Sequence, residues 1–486
     1  MAYRILAWFL RVVTRVFFRQ IEVVGLEHVP KTGPVLFAGN HPNSLIDPIL
    51  IITTCGRKVH FAAKDALFKG RLMRAVLRGL GAVPIKRRDD HDGKPRAKTD
   101  PSAPPVDNDA AFEAMFAVLG EGGTIGIFPE GLSHDEAQLS KLKTGAARLA
   151  LGGAQRTPLP IQIVPCGLTF IHPKRFRSRV LVQFGPPLTV DATRPNHADE
   201  VKAVTGEIET ALRRLTVNAP DWDTVRALDV VRRLYQPQEI SIEDRVELAR
   251  RFNAYYGAVA ADPRVVALMS RVRAYQTKLD ELGITDRELA RDLSKLEVGA
   301  RVLRHFVLVA FWLPLTVPGA PLHLPPLAFA RVASAKLTPR KDVIATTKLL
   351  IGLLLVLAAY AATVAVLWWK VGYWLALWAI FLLPLSGYAT LRVLDRLRLV
   401  RRGLGVLFRR LRFRREVHAL RRERDGLVDE VIATVNAVKP KDLDLKFPLD
   451  HPDRLEESWR SRREADLDAE FDKDAAEAAA EDAEPR

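Results

Sequence analysis

Two apolar runs, Leu349 to Trp368 and Val371 to Leu391, lie end to end with only a short turn around Lys370 and Gly372 between them. Each is about the ~20 residues that a helix needs to cross a bilayer, so this part of the chain cannot fold as a water-soluble globule. Both outer flanks are basic: Arg331, Lys336, Arg340, Lys341 and Lys348 before, and Arg392, Arg396, Arg398, Arg401 and Arg402 after. Lys and Arg accumulate on cytoplasmic loops, so a transmembrane hairpin over 349–391 with both ends in the cytoplasm is expected. Upstream, 303–330 is also apolar, but Pro314, Pro318, Gly319, Pro321, Pro325 and Pro326 interrupt it. An interior proline removes a helix hydrogen bond and crowds the preceding turn. This segment is therefore expected to be re-entrant or interfacial, turning near Pro318 and Gly319, rather than a straight span.

Lipid burial explains why 48% of the 486 residues are hydrophobic despite a formal charge of +16. The last two dozen residues are acidic, so the basic excess sits in the body of the chain. Basic bodies meet nucleic acid or anionic membranes. No aromatic-interleaved basic strand, helix-turn-helix or zinc pattern is present, and the expected partner is the anionic leaflet, with no nucleic acid. From Tyr3 to Arg19, Arg4, Arg11, Arg15 and Arg19 recur at steps of four and seven opposite Trp8, Phe9 and aliphatic residues. That pattern suits an interfacial amphipathic helix over 1–19, or one packed on the following domain. Cys55 and Cys166 have no partner spacing, which points to two small buried thiols in a reducing compartment and to neither a disulfide framework nor a metal site.

Residues 20–215 alternate between strand-like and helix-like runs. Strands are expected at Gln20–Val24, Val35–Ala38, Val59–Ala63, Thr124–Phe128, Ile161–Val164 and Val180–Phe184, and helices at Leu67–Leu80, Ala110–Leu119, Thr144–Leu151 and Ala198–Leu215. The fold class is α/β: a mixed or largely parallel sheet flanked by helices, with its site where strands give way to loops. Residues 88–107, rich in Asp, Lys, Pro and Ser, read as a mobile loop able to cover that site. A helical region over 221–302, a basic helical region over 392–462 and an acidic, disordered tail over 463–486 complete the chain.

Four stretches carry candidate chemistry. Gly39-Asn40-His41-Pro42-Asn43-Ser44-Leu45-Ile46-Asp47-Pro48 puts a histidine and an acid where the run Val35 to Ala38 breaks into a loop. Imidazole titrates near neutrality and a carboxylate can hold its tautomer, so the pair suffices for general-base chemistry, although capping is an equal reading of these two residues alone. Then come Gly81-Ala82-Val83-Pro84-Ile85-Lys86-Arg87, Phe128-Pro129-Glu130-Gly131-Leu132-Ser133 and Ile163-Val164-Pro165-Cys166-Gly167.

In this order the four stretches resemble the sequence blocks of the glycerolipid (lysophospholipid) acyltransferase family. The run from Ile127 to Asp135, followed by Leu142-Lys143-Thr144-Gly145, is most similar to its fungal-type glycerol-3-phosphate acyltransferase branch. Two departures stand out: five residues rather than the usual four separate His41 from Asp47, as in that branch, and Pro84 replaces the usual aromatic of the second block. The resemblance implies transfer of an acyl group from a thioester, on coenzyme A or acyl carrier protein, to glycerol 3-phosphate or lysophosphatidate, without a metal or other cofactor. It implies His41 as base and Asp47 as its orienter. Arg87, with Lys86 as a lesser partner, would take the phosphate; Glu130, Gly131 and Ser133 would form the acceptor site; Pro165 would shape the acyl-donor side. His60, His134 and His172 have no such support and are expected to be structural. A serine hydrolase using Ser44 lacks a Gly-x-Ser-x-Gly elbow, a phospholipid transacylase would share the base, and a silent membrane scaffold would not need the His/Asp pair.

Overall fold

The computed structural model describes residues 1–86, 108–219, 221–236, 242–290, 295–338 and 340–439. Arg87, the expected mobile loop over 88–107, the end of the basic helical region and the acidic tail lie outside the described residues. The chain divides into two units, Met1–Asn218 with Lys341–Val343, and Ala219–Arg340 with Ile344–Arg486.

The first unit runs α1 (Ala2–Phe17), β1 (Gln20–Val24), β2 (Val35–Gly39), α2 (Ile46–Thr54), β3 (Val59–Lys64), α3 (Arg71–Gly79), β4 (Val83–Ile85), α4 (Asp109–Gly120), β5 (Thr124–Ile127), α5 (Gly145–Ala154), β6 (Ile161–Phe170), β7 (Arg179–Phe184), β8 (Leu188–Val190) and α6 (Ala198–Leu215). Its sheet has the order β1-β7-β6-β2-β5-β3-β4, with β8 beside the start of β6. The strands β6, β2, β5, β3 and β4 are mutually parallel, while β7 and β8 run antiparallel to β6. The sheet is therefore mixed and mostly parallel.

Central β2 is buried at every position because helices cover both faces of the sheet, which is why it reads as an unbroken apolar run. Leu36 and Ala38 join Ile125, Ile161 and Ile163 in a core closed by Leu119, Leu151 and Ile208 from α4, α5 and α6. The alternate residue Phe37 meets Phe184, ring centroids 5.7 Å apart. Strand β6 continues past Pro165, where the sequence suggests an end. Its antiparallel partner changes there, from β8 opposite Ile161–Ile163 to β7 opposite Cys166–Phe170, so the missing N–H falls in a gap of the ladder. On α1, Ala7, Thr14 and Phe17 are buried, whereas Ile5, Trp8, Val12 and Val16 form an exposed apolar stripe.

The second unit contains α7 (Trp222–Tyr235), α8 (Ile242–Val259), α9 (Pro263–Leu282), α10 (Asp286–Ala290), α11 (Lys295–Leu337), α12 (Ile344–Lys370), α13 (Tyr373–Arg412) and α14 (Arg414–Val438). Leu228, Val231, Val272, Leu279, Leu427 and Val431 belong to one core shared by α7, α9 and α14. Val302–Leu337, Lys341–Lys370 and Tyr373–Arg398 are long and apolar enough to cross a membrane. Trp368, Trp369, Trp374, Trp378 and Phe381 are exposed on them, a surface suited to lipid rather than water.

Helix α11 corrects the expectation of an interrupted segment, since helical geometry continues through all five prolines. The helix is nevertheless bent. Along α13 its contacts run antiparallel, His305 to Arg396, Trp312 to Tyr388 and Gly319 to Ser386. Along α12 they also run antiparallel, His323 to Tyr360, Ala330 to Gly352 and Thr338 to Thr347. A two-residue connection and the Tyr360 to Leu383 hydrogen bond make α12 and α13 antiparallel to each other. A straight α11 cannot oppose both, so its axis turns between Gly319 and His323, where Pro318 and Pro321 supply the kink.

Candidate active site

The site grows from the C-terminal end of β2. After Gly39, the Asn40 side chain donates to Leu168 O at 3.1 Å and accepts from Leu168 N at 2.7 Å, tying the loop to β6. A turn from Asn43 to Ile46 then starts α2, and Ser44 adopts a left-handed backbone with φ 47°. This turn absorbs the fifth residue between the histidine and the acid. Asp47 falls in the first turn of α2, where the helix dipole favours a carboxylate.

His41 Nδ1 lies 2.8 Å from Asp47 Oδ2, and the same oxygen accepts from Asn43 N at 2.7 Å. Asp47 is fully buried. Burial pushes its carboxyl well above the usual carboxylate range; the Asn43 N–H opposes this, and the neighbouring Glu130 and Asp342 charges reinforce it. With Nδ1 donating to the carboxylate, Nε2 is the basic nitrogen of the ring. The imidazole stacks on Phe128, centroids 4.1 Å apart and planes 7° from parallel. Gly39 makes room for that ring, because a Cβ there would stand 3.0 Å from Phe128.

The third block supplies the frame. Glu130 Oε1 accepts from His41 N at 2.8 Å, while Oε2 accepts from Ser140 N at 2.8 Å and pairs with His134 Nε2. Its side chain is buried, and Glu130 thus holds the loop instead of presenting a free carboxylate to an acceptor. Gly131 has φ 79°, and the Lys143 side chain crosses directly above it, its Nζ 2.6 Å from where a Cβ would stand. Ser133 Oγ donates to Asp342 Oδ2.

Pro165 is buried on β6 opposite Ala38 of β2, one residue before Cys166, whose carbonyl accepts from Asn40 N at 3.3 Å. Lys86 follows β4 at the edge of the parallel set, with β3 and β5 between it and β2. Its side chain is exposed and its backbone is held by Asn108. The fold thus gathers His41, Asp47, Glu130, Gly131 and Ser133 around the ends of β2 and β5, with Pro165 midway along β6 beside Ala38 and Lys86 following β4 on the same sheet edge. His134, expected to be structural, joins this cluster by pairing with Glu130, and that pairing raises its pKa. Phe128 and Lys143 stand inside recognisable stretches without an assigned role, whereas Asp342, distant in sequence, carries no local signal.

An imidazole buttressed by a buried carboxylate at the C-terminal ends of parallel strands is an arrangement able to serve as a general base. Residues 20–169 match the acyltransferase family model, and residues 227–443 match the family described as the glycerol-3-phosphate acyltransferase 2 C-terminal domain. An uncharacterized acyltransferase of Schizosaccharomyces pombe is 25% identical over 92% of this chain and 82% of its own length. The glycerol-3-phosphate O-acyltransferases 2 and 1 of Saccharomyces cerevisiae are 25% and 27% identical over 73% and 72% of this chain. The chain spans only 63% and 59% of those two proteins. The chain thus carries an acyltransferase-family domain over 20–169 and, over 227–443, a region of the glycerol-3-phosphate acyltransferase 2 C-terminal type that holds the helices apolar enough to cross a membrane.

Proposed function

We propose that the protein transfers a fatty acyl group from an acyl thioester to the sn-1 hydroxyl of glycerol 3-phosphate, giving lysophosphatidate for phospholipid synthesis. The observation that carries this reading is the His41–Asp47 pair at 2.8 Å, because an alcohol is a poor nucleophile at neutral pH and needs a held base. His41 Nε2 takes the hydroxyl proton as the oxygen attacks the thioester carbonyl. The resulting imidazolium is stabilised by Asp47. Collapse of the tetrahedral intermediate breaks the carbon–sulfur bond, and the proton on His41 passes to the departing thiolate. Acyl-CoA or acyl carrier protein serves as co-substrate, and this chemistry needs no metal.

Arg87 takes the phosphate as a planar, permanently charged fork, with Lys86 beside it. Gly131 and Ser133 border the acceptor, Glu130 frames it, and Pro165 shapes the acyl-donor side. Catalysis faces the cytoplasm at an anionic leaflet, which the exposed stripe of α1 and the basic flanks of α12 and α13 suit. The names of the two Saccharomyces relatives favour glycerol 3-phosphate over lysophosphatidate as acceptor.

Purified protein given one acyl-CoA and each acceptor separately tests the choice. Lysophosphatidate should form from glycerol 3-phosphate; activity on lysophosphatidate alone, giving phosphatidate, would move the assignment to the second acylation. Arg87→Lys should raise the acceptor KM more than the donor KM, an effect that disappears with an acceptor lacking phosphate.

A further inference from the structure

His41 lies past the last residue of β2, so no strand ladder fixes its peptide groups and they must be held by other means. One segment, residues 130 to 134, holds both. His41 N donates to Glu130 Oε1 at 2.8 Å, and His41 O accepts from His134 N at 3.2 Å. The segment is closed on itself by a side-chain pair, because His134 Nε2 meets Glu130 Oε2. Ser140 N donates to that same oxygen at 2.8 Å, and Ser140 Oγ stands 2.9 Å from His134 Nε2. On the other side of the ring, Nδ1 accepts from Glu136 N at 3.3 Å. Both nitrogens of His134 are therefore engaged, Nδ1 as acceptor and Nε2 as donor.

Glu130 is buried, and a carboxylate taken out of water needs donors on its oxygens. Oε1 has the His41 peptide, while Oε2 has the Ser140 peptide and the imidazole. Of these donors the imidazole alone can carry a charge. We propose that His134 is a positioning residue for the base: by holding Oε2 it fixes the rotation of the Glu130 carboxylate, and with it the aim of Oε1 at the peptide that carries His41. This rests on the assignment of His41 as base made above. The site then contains two His–acid pairs of different purpose. His41–Asp47 meets the reacting hydroxyl, and His134–Glu130 sets where the first pair stands. Alanine at 134 removes one donor from Oε2 and lets the carboxylate turn, whereas glutamine offers an N–H in place of Nε2.

Steady-state kinetics of the full chain, with acyl-CoA and glycerol 3-phosphate varied in turn, test the proposal on His134→Ala, His134→Gln, Glu130→Ala and the double variant Glu130→Ala with His134→Ala. Each is assayed well below its own melting temperature. His134→Ala should lose roughly tenfold to a hundredfold in kcat, the scale of a small misplacement of a catalytic group, with both KM values within about twofold of wild type. His134→Gln should recover most of that loss. The double variant should be no slower than Glu130→Ala, since the imidazole acts through the carboxylate. An unchanged kcat in His134→Ala, a His134→Gln protein equally slow, additive losses, or a defect confined to one KM would overturn the proposal. Wild-type protein that acylates lysophosphatidate but not glycerol 3-phosphate would instead overturn the proposed acceptor, and the same variants are then compared on lysophosphatidate. Wild-type protein inactive with both would overturn the function, and carbethoxylation of His41 by diethyl pyrocarbonate, mapped by peptide mass spectrometry, decides the positioning role. A His41 rate altered by His134→Ala and restored by His134→Gln upholds that role; any other pattern overturns it.

Discussion

Glu130 Oε1 accepts a hydrogen bond from the backbone N–H of His41 at 2.8 Å, so the third sequence block fixes the main chain that carries the proposed base. Replacing Glu130 with Ala strands two partly buried backbone donors, His41 N and Ser140 N, at about 1 kcal/mol each. A lowered melting temperature and a kcat loss with little change in acceptor KM are expected. Unchanged stability with a raised acceptor KM would show Glu130 to be a substrate contact.

Gly131 makes a separate prediction. Its φ of 79° and the Lys143 side chain lying over it leave no room for a Cβ. Gly131→Ala costs roughly 1–2 kcal/mol in backbone conformation and displaces Lys143, so the acceptor KM should rise several-fold while the donor KM holds. Kinetics matching wild type would remove both residues from the acceptor side.

Two groups near the site are shifted upward, and both make stability fall as pH rises. Pairing with Glu130 raises the pKa of His134, so its contribution is complete below the unfolded value of about 6.5 and is lost as pH climbs through the folded value. Burial raises Asp47, so ionising it costs folding free energy from its unfolded pKa, about 3.9, upward. Melting temperatures between pH 6 and 9 should therefore decline less steeply for His134→Gln than for wild type. At pH 7, Asp47→Asn should melt no lower than wild type; identical slopes or an Asp47→Asn protein much less stable would contradict these assignments.

Much of the catalytic unit is legible in the sequence because buried parallel strands such as Val35–Gly39 are unbroken apolar runs ending in Gly, Pro and Asn. The His41–Asp47 pair is legible for the same reason: strand end, loop and helix start follow within nine residues. Pro165 obscures the length of β6, since its tolerance depends on a change of neighbour that only the sheet reveals. Glu130 is visible as a motif residue, but whether it lines or frames the site depends on hydrogen bonds to His41 and Ser140. Continuous helicity of α11 is concealed by its prolines, whereas its bend follows from them. Asp342 reaches Ser133 across 209 residues and leaves no trace in local pattern.

The bend in α11 has a topological consequence. With α11 entering and leaving on one face, cysteines introduced at Gly299, Lys341 and Arg402, in protein lacking Cys55 and Cys166, should all resist an impermeant thiol reagent in intact cells. One at Lys370 should react. Labelling at Gly299 with protection at Lys341 would mean that α11 crosses the membrane.

Acyl transfer by a His41→Ala protein is the most direct measurement of the central claim. Assayed with acyl-CoA and glycerol 3-phosphate after its membrane association and melting temperature are matched to wild type, the variant should lose roughly 10² to 10⁴-fold in turnover. Asp47→Asn, which disturbs the ring's orientation without deleting the base, should lose less. Near-wild-type turnover by His41→Ala would contradict the account, because no base at Nε2 would then be required.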